Sequence, residues 1–433
     1  MKYFGTDGIR RNSDYFTEQF LNGVCASVVS IKKRPKIVIA KDPRISGGYI
    51  EKMMKTAFVK SGARVLSLGM TATPVLAFCT RIFHADFGIM ISASHNPPEY
   101  NGIKFFDSDG RKIEEETEAL IEKRLEEGIE TSEQKEGVIE RMDGDSFYIK
   151  HFSSLLKPLI SRKRILLDTA NGATAFVAQK LFSELGCDVE TIFCDTSGVT
   201  INQGCGVTSP QAFIKKMKTG QYDIGFSFDG DGDRVLAYCG GKLLDGDHMV
   251  YIIAQYLKER NEWNGKKIIG TIMSNRGVEE AAQKHGFQFI RTRVGDKYVA
   301  EEMKKTGAEL GGEASGHVII GKYQNTGDGL LAAAMLTAAE CAKDVHFYDD
   351  IVDYPQASGD IITTHEKLAE YKANEEAFAE KLEEIRAENG ARLVVRPSGT
   401  EPKIRIMAEA STINKTYCAI GQARLTILRG MRK

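Results

Sequence analysis

Four short segments of this chain concentrate side chains able to do chemistry, and each offers a different kind. The first, Ile91-Ser-Ala-Ser-His-Asn-Pro-Pro98, sets Ser94 beside His95 on a stretch stiffened by two prolines, and Asn-Gly-Ile-Lys-Phe-Phe follows over 101–106. A hydroxyl next to an imidazole suggests an activated nucleophile. The plainer alternative is a turn in which Ser94 and Asn96 cap backbone groups. The second segment, Asp229-Gly-Asp-Gly-Asp-Arg234, carries three carboxylates at alternate positions. In extended backbone such residues face one side, and three anions together call for a cation. Oxygen-only ligation selects a hard ion, Mg²⁺ rather than zinc. An EF-hand is excluded, because Arg234 stands where its glycine belongs and Gly240 where its bidentate Glu belongs. A solvated acidic turn is the alternative.

The third segment is Gly311-Gly-Glu-Ala-Ser-Gly-His317. Glu313 and Ser315 suit sugar hydroxyls, and His317 can move protons near neutral pH; a glycine-rich loop with one capping serine is the alternative. The fourth, Arg396-Pro-Ser-Gly-Thr-Glu-Pro402, is followed by Arg405. Ser398, Gly399 and Thr400 can present N–H groups and hydroxyls to a phosphate while the arginines supply charge-assisted bonds. The Lys-Ser/Thr ending of a nucleotide P-loop is missing. A serine, a Mg²⁺ triad, a sugar loop and a separate phosphate grip combine most simply as phosphoryl transfer to and from a phosphosugar, with Ser94 as the carrier.

Something must bring these loops together, and the pattern of the chain suggests what. Three segments open with a β-branched run ending in a polar turn, at 36–44, 164–172 and 266–277. Each is followed by a helix-like stretch and a glycine-led strand, at 62–70, 186–194 and 286–295, and then by a third strand running into one of the first three loops. That alternation predicts βαβ units with mainly parallel sheets, one α/β domain repeated three times. Ligands bind beyond the carboxyl ends of strands in such sheets, so the loops could share one cleft. Spacing predicts helices over 49–60 and 114–127, and charge-rich 130–141 and 367–389 read as solvent-facing helices or connectors. The expected division is an α/β domain at 1–145 with the serine loop, a second at 146–245 with the metal loop and a third at 246–355 with the sugar loop. A different, α+β domain at 356–433 carries the phosphate loop on two strands, closed by a helix from about 414 to 428.

At 433 residues the chain exceeds what one core supports. Its 58 Lys and Arg against 59 Asp and Glu leave a net charge of −1, which argues against nucleic acid or anionic lipid as partner. Eight cysteines lie scattered with no C-x-x-C or zinc spacing and read as free thiols of a reducing compartment. No run approaches about 18 apolar residues, and the N-terminus lacks a signal-peptide core, so a cytoplasmic protein is expected.

The motifs ISASHNP with NGIKFF, DGDGDR, GEASGH and RPSGTEP, in that order, resemble the α-D-phosphohexomutases along essentially the whole chain. FGTDGIR, TIMSNRG, RVGDKY and NTGDG are most similar to the bacterial branch that interconverts glucosamine 6-phosphate and glucosamine 1-phosphate on the route to UDP-N-acetylglucosamine. The resemblance implies an isomerase of three α/β domains and a C-terminal domain around one cleft, the last closing over it to keep water out. It also implies Ser94 phosphorylated at rest, one phosphoserine oxygen completing a Mg²⁺ shell with Asp229, Asp231 and Asp233, and glucosamine 1,6-bisphosphate, or another hexose bisphosphate, as intermediate and activator. Arg234 would stabilise the transferring group, and Arg10 and Lys104 would assist proton movement. His95 would support Ser94, and His317 would sit near the sugar with Glu313 and Ser315. Arg396, Ser398, Gly399, Thr400 and Arg405 would hold the phosphate not in flight. A monomer or homodimer is expected. Arg11 stands where the family commonly has Gly, and Pro397 and Lys403 where many relatives carry Lys and an apolar residue. The alternatives are a phosphomannomutase/phosphoglucomutase, a Mg²⁺-dependent sugar-phosphate phosphatase and a silent sugar-phosphate sensor.

Overall fold

The computed structural model describes residues 2–5, 7–129, 137–342, 347–398 and 402–431. The chain begins with β1 (Ile9–Asn12), α1 (Glu18–Ile31), β2 (Lys36–Lys41), α2 (Gly47–Lys60), β3 (Arg64–Met70), α3 (Thr73–Ile82), β4 (Phe87–Ile91), β5 (Tyr100–Phe106), α4 (Glu115–Glu126) and β6 (Val138–Arg141). The strands form one sheet in the order β1-β5-β4-β2-β3-β6. β2 lies parallel to β3 and β4, whereas β5 is antiparallel to both β4 and β1. β4 is Phe-Gly-Ile-Met-Ile and buried throughout, as expected for a strand covered on both faces.

A second sheet follows from α5 (Gly144–Leu156), β7 (Arg164–Asp168), α6 (Thr174–Glu184), β8 (Asp188–Ile192), α7 (Gln211–Thr219), β9 (Ile224–Phe228), β10 (Val235–Cys239) and β11 (Lys242–Leu244), ordered β11-β10-β9-β7-β8. It repeats the first pattern: β7 is parallel to β8 and β9, and β10 turns back antiparallel. The third repeat runs α8 (Gly246–Glu259), β12 (Lys267–Thr271), α9 (Arg276–Lys284), β13 (Gln288–Thr292), α10 (Asp296–Thr306), β14 (Leu310–Gly312), β15 (Val318–Ile320) and α11 (Gly329–Cys341). Here β12 is parallel to β14 and β15 is antiparallel to β14. Asp245 caps α8 and Asp328 caps α11, each side chain accepting a backbone N–H of the first turn. The sheets are therefore mixed, parallel at the centre with an antiparallel return strand toward one edge. Each of the first three functional loops is the connection between a buried strand and its antiparallel neighbour, which fixes both loop ends one strand spacing apart.

The chain divides into two compact units. Unit one holds Met1–Ile269 and Gly295–Phe347. Unit two holds Gly270–Val294, with α9 and β13, and Tyr348–Lys433. The latter contributes β16 (Gln356–Ile362), α12 (His365–Ala373), α13 (Glu375–Asn389), β17 (Arg392–Pro397), β18 (Lys403–Glu409) and α14 (Ile413–Gly430), the strands pairing antiparallel as β16-β18-β17. Its own core includes Leu368, Tyr371, Phe378, Leu393, Ile404, Ile406 and Ile427. Of the charge-rich stretch at 130–141, residues 138–141 form β6 and 130–136 lie outside the described residues. No helix among the described residues is long and apolar enough to cross a membrane. The cysteines are free; Cys25, Cys79, Cys205 and Cys239 are buried.

Candidate active site

Ser94 lies in the turn that leaves β4, fully buried and with a left-handed φ of 52°. Its Oγ donates to Asp229 Oδ2 at 2.7 Å, so the serine and the acidic loop, distant in sequence, meet directly. His95 Nδ1 is 3.3 Å from the same Oγ. Burial and the charges of Arg234 and Arg10 push His95 down to about 3, so it is neutral.

The three aspartates do converge, but not by alternation along a strand. β9 ends at Phe228, and Asp229–Asp233 is a turn with Gly232 at φ 75° and its N–H bonded to Asp229 O. The reading of an extended loop is corrected here: the two intervening glycines let the backbone fold so that donor oxygens of all three residues lie within 4.8 Å of one another, all buried. The remaining contacts turn each carboxylate. Asp229 Oδ1 accepts the N–H groups of Gly232 and Arg234. Lys104 Nζ lies 2.7 Å from Asp231 Oδ2 and 2.8 Å from Asp233 Oδ2, and Thr73 Oγ1 donates to Asp231 Oδ2 at 2.5 Å. Asp231 Oδ1 and Asp233 Oδ1 are left buried without a hydrogen-bond partner.

The charge balance explains the titration. Burial, then the neighbouring Asp233 and Asp231, push Asp229 well above the usual carboxylate range. Against the burial penalty, Lys104, His317 and Arg234 hold Asp233 below it. Lys104 is kept charged by Asp231, Asp233 and Asp7, which outweigh its own burial. Two bare carboxylate oxygens beside a third carboxylate form a donor set that fits a hard divalent cation.

Around this centre stand two arginines. Arg10 pairs with Asp7 and donates to Asn96 Oδ1 at 3.2 Å, and both Arg10 Nε and Arg234 Nε are buried without a hydrogen-bond partner. Such guanidinium edges are ready-made contacts for phosphoryl oxygens. The third loop is tied to the second by a backbone bridge between Arg234 and His317. His317 Nε2 is 3.6 Å from Asp296 Oδ2, and Gly327 lies so close that a Cβ there would overlap the imidazole. Glu313 Oε1 accepts the N–H of Gly295 at 2.9 Å, and burial followed by Asp296 raises its carboxyl. Ser315 is exposed.

In unit two, Arg396 and Arg405 are cross-strand partners on β17 and β18, so their side chains share a face. Burial and the charge of Arg405 lower Arg396. Ser398, 5% exposed, donates its N–H to Lys403 O at 2.8 Å at the root of the hairpin. Gly399 and Thr400 lie outside the described residues.

Sequence reasoning missed several participants. Asp7 joins Lys104 at 3.0 Å, Arg10 and Lys112, and Lys112 also pairs with Asp296. Asp7 was discoverable, three residues before Arg10 in a glycine-rich turn. Asp296 likewise lies within the motif RVGDKY, whereas Thr73 and Lys112 carry no local signal, because their partners are set by packing between repeats.

Profiles of the phosphoglucomutase/phosphomannomutase family match almost the whole chain: α/β/α domain I at residues 1–132, domain II at 146–242, domain III at 245–354 and the C-terminal domain at 361–415. The phosphoglucosamine mutase of Geobacillus thermodenitrificans is 40% identical over 426 residues, covering 95% of each chain. That of Thermotoga neapolitana is 41% identical over 421 residues, covering 96% of each. Among solved structures, a phosphoglucomutase/phosphomannomutase family protein from Burkholderia thailandensis superimposes with a TM-score of 0.80 at 24% identity, covering 99% of this chain and 97% of that one. Aspergillus fumigatus N-acetylphosphoglucosamine mutase, in complex with GlcNAc-6P and magnesium, gives 0.70 at 17% identity, covering 99% and 96%.

Proposed function

The chain belongs to the phosphoglucomutase/phosphomannomutase family, and we propose from that premise that it interconverts glucosamine 6-phosphate and glucosamine 1-phosphate through a phosphoserine at Ser94. The observation that carries this reading is the 2.7 Å hydrogen bond from Ser94 Oγ into the buried aspartate triad. The relatives at about 40% identity, all phosphoglucosamine mutases, support the choice of sugar.

In this reading the C1 hydroxyl of glucosamine 6-phosphate attacks the phosphorus on Ser94. The new O–P bond forms as the Oγ–P bond breaks, the sugar proton passes to a base, and the leaving Ser94 Oγ takes a proton from the side of Asp229. The bisphosphate then turns around. Ser94 Oγ, giving up its proton, attacks the 6-phosphoryl group; the O6–P bond breaks and the base returns a proton to O6, releasing the C6 hydroxyl. Asp229, Asp231, Asp233 and a phosphoserine oxygen would hold a Mg²⁺ ion, whose charge offsets that developing on the phosphoryl oxygens. Lys104 keeps the triad from repelling itself, and Arg10 and Arg234 offer their unpartnered edges to the group in flight. Glu313, Ser315 and His317 face the sugar, while Arg396, Ser398, Gly399, Thr400 and Arg405 grip the other phosphate. The domain divisions are placed at 145, 245 and 355, and the site of action in the cytoplasm.

Coupled assays with glucosamine, glucose and mannose phosphates, each primed with its 1,6-bisphosphate, test the proposal. Glucosamine 6-phosphate is expected to turn over fastest; negligible turnover of it beside brisk turnover of another hexose overturns the sugar assignment. Release of phosphate carrying isotope from labelled water, without isomer, overturns the mutase.

A further inference from the structure

Ser94 sits in a backbone conformation that residues with a Cβ rarely adopt, and something must hold it there. Behind the serine turn lies Arg44, in the loop leaving β2, 1% exposed. Its Nε donates to Asp42 Oδ2 at 3.0 Å. Its Nη1 donates to Pro97 O and, at 3.0 Å, to Tyr100 O; its Nη2 donates to Ser94 O at 2.9 Å and Asn96 O at 2.7 Å. A guanidinium has five N–H groups, and here five acceptors meet them. From the second domain Asn202 adds its Nδ2, 2.9 Å from Ser94 O and 3.1 Å from Asn96 O. Both carbonyls are thus held twice, by donors from two domains. The N–H of Ser94 is pinned as well, by Ser92 Oγ, which itself donates to Asp42 Oδ2. The metal loop approaches the same place: a Cβ on Gly230 would come within 2.7 Å of Ser94 O.

We propose that Arg44 and Asn202 are positioning residues that lock the peptide planes following Ser94 and Asn96, so that Oγ points at the aspartate triad. The proposal rests on the mutase reading, since it is the phosphoryl transfer that needs this aim. Neither residue contacts the reacting atoms. Relaxation of the turn to a right-handed conformation would redirect Cβ and carry Oγ away from Asp229. Releasing the clamp therefore slows the phosphoryl step and leaves phosphosugar binding intact. It also makes the aim of the nucleophile depend on the second domain being docked.

The experiment uses full-length protein with Mg²⁺ and compares the parent with Asn202→Ala, Asn202→Asp and Arg44→Lys. Asn202→Asp keeps the shape but turns an acceptor toward two carbonyls. Arg44→Lys keeps the charge beside Asp42 but loses the planar five-donor fork. Transfer of phosphate from glucose 1,6-bisphosphate to Ser94 is followed by quenched-flow intact mass, affinity for glucosamine 6-phosphate by calorimetry, and folding by circular-dichroism melting. The transfer rate and kcat are expected to fall about 10- to 100-fold, with sugar-phosphate affinity within about twofold and Asn202→Asp slower than Asn202→Ala. Folded variants that phosphorylate at the parent rate overturn the clamp, as does a loss confined to thermal stability. If Arg44→Lys does not fold, the Asn202 pair decides. A parent that takes no phosphate on Ser94 overturns the mutase reading and the clamp with it.

Discussion

The two places where this chain would meet phosphate are built on opposite principles. Around Ser94, charges are buried and almost everything is paired: Lys104 is shared among Asp7, Asp231 and Asp233, and Asp229 takes three hydrogen bonds. Among the described residues, the polar atoms left there without a hydrogen bond include the Oδ1 atoms of Asp231 and Asp233 and the Nε atoms of Arg10 and Arg234. On the hairpin of β17 and β18, by contrast, Arg396 and the exposed Arg405 stand side by side, with Asp360 of β16 across from Arg405. One region holds its charges buried and tightly paired; the other sets its arginines on the face of a partly exposed hairpin. Chemistry demands rigid aim, whereas holding a phosphate that must be released and regripped demands a site that binds by charge and lets go.

That contrast can be broken at several points. Ser94→Ala removes the carrier. kcat is expected to fall by about three orders of magnitude or more with substrate affinity retained, and intact mass should show one phosphate fewer. Lys104→Met leaves buried carboxylates uncompensated, so a melt in EDTA should show destabilisation of about 3–5 kcal/mol, partly restored by Mg²⁺. An unchanged melting curve would mean the aspartates are not ionised together. Asp231→Asn is expected to lower kcat by about 10²–10³-fold and to weaken Mg²⁺ binding in calorimetry. Arg396→Ala has the smallest expected effect. KM should rise by about one to two orders of magnitude with kcat largely kept, and the salt dependence of KM should flatten. A fall in kcat with unchanged KM would make the hairpin part of the reacting centre and erase the distinction.

Much of this architecture was legible in one dimension. All nine strands expected in the three repeats are present, and the helix read over 49–60 is α2, Gly47–Lys60. Helix and strand periods are local, written by nearby side chains choosing one face. The loop chemistry was legible for a related reason: serine, three aspartates, glutamate and paired arginines declare their donors and charges wherever they are placed. Antiparallel return strands after β4, β9 and β14 were harder to see, because β5, β10 and β15 are apolar runs whose direction depends only on which neighbour they pair with.

What residue types and spacing determined, then, was a repertoire of donors and charges: a hydroxyl, three carboxylates, a glutamate and a pair of arginines, each beside a strand. Folding decided the aim. The aspartates converge through a glycine-bent turn, Lys104 reaches them across about 130 residues of chain, and Arg44 and Asn202 seize the serine turn from two domains. Contacts at such separation cost chain entropy that only the packed core can offset. They leave no periodic trace in the sequence, and the direction in which Ser94 points exists only once two sheets have closed on it.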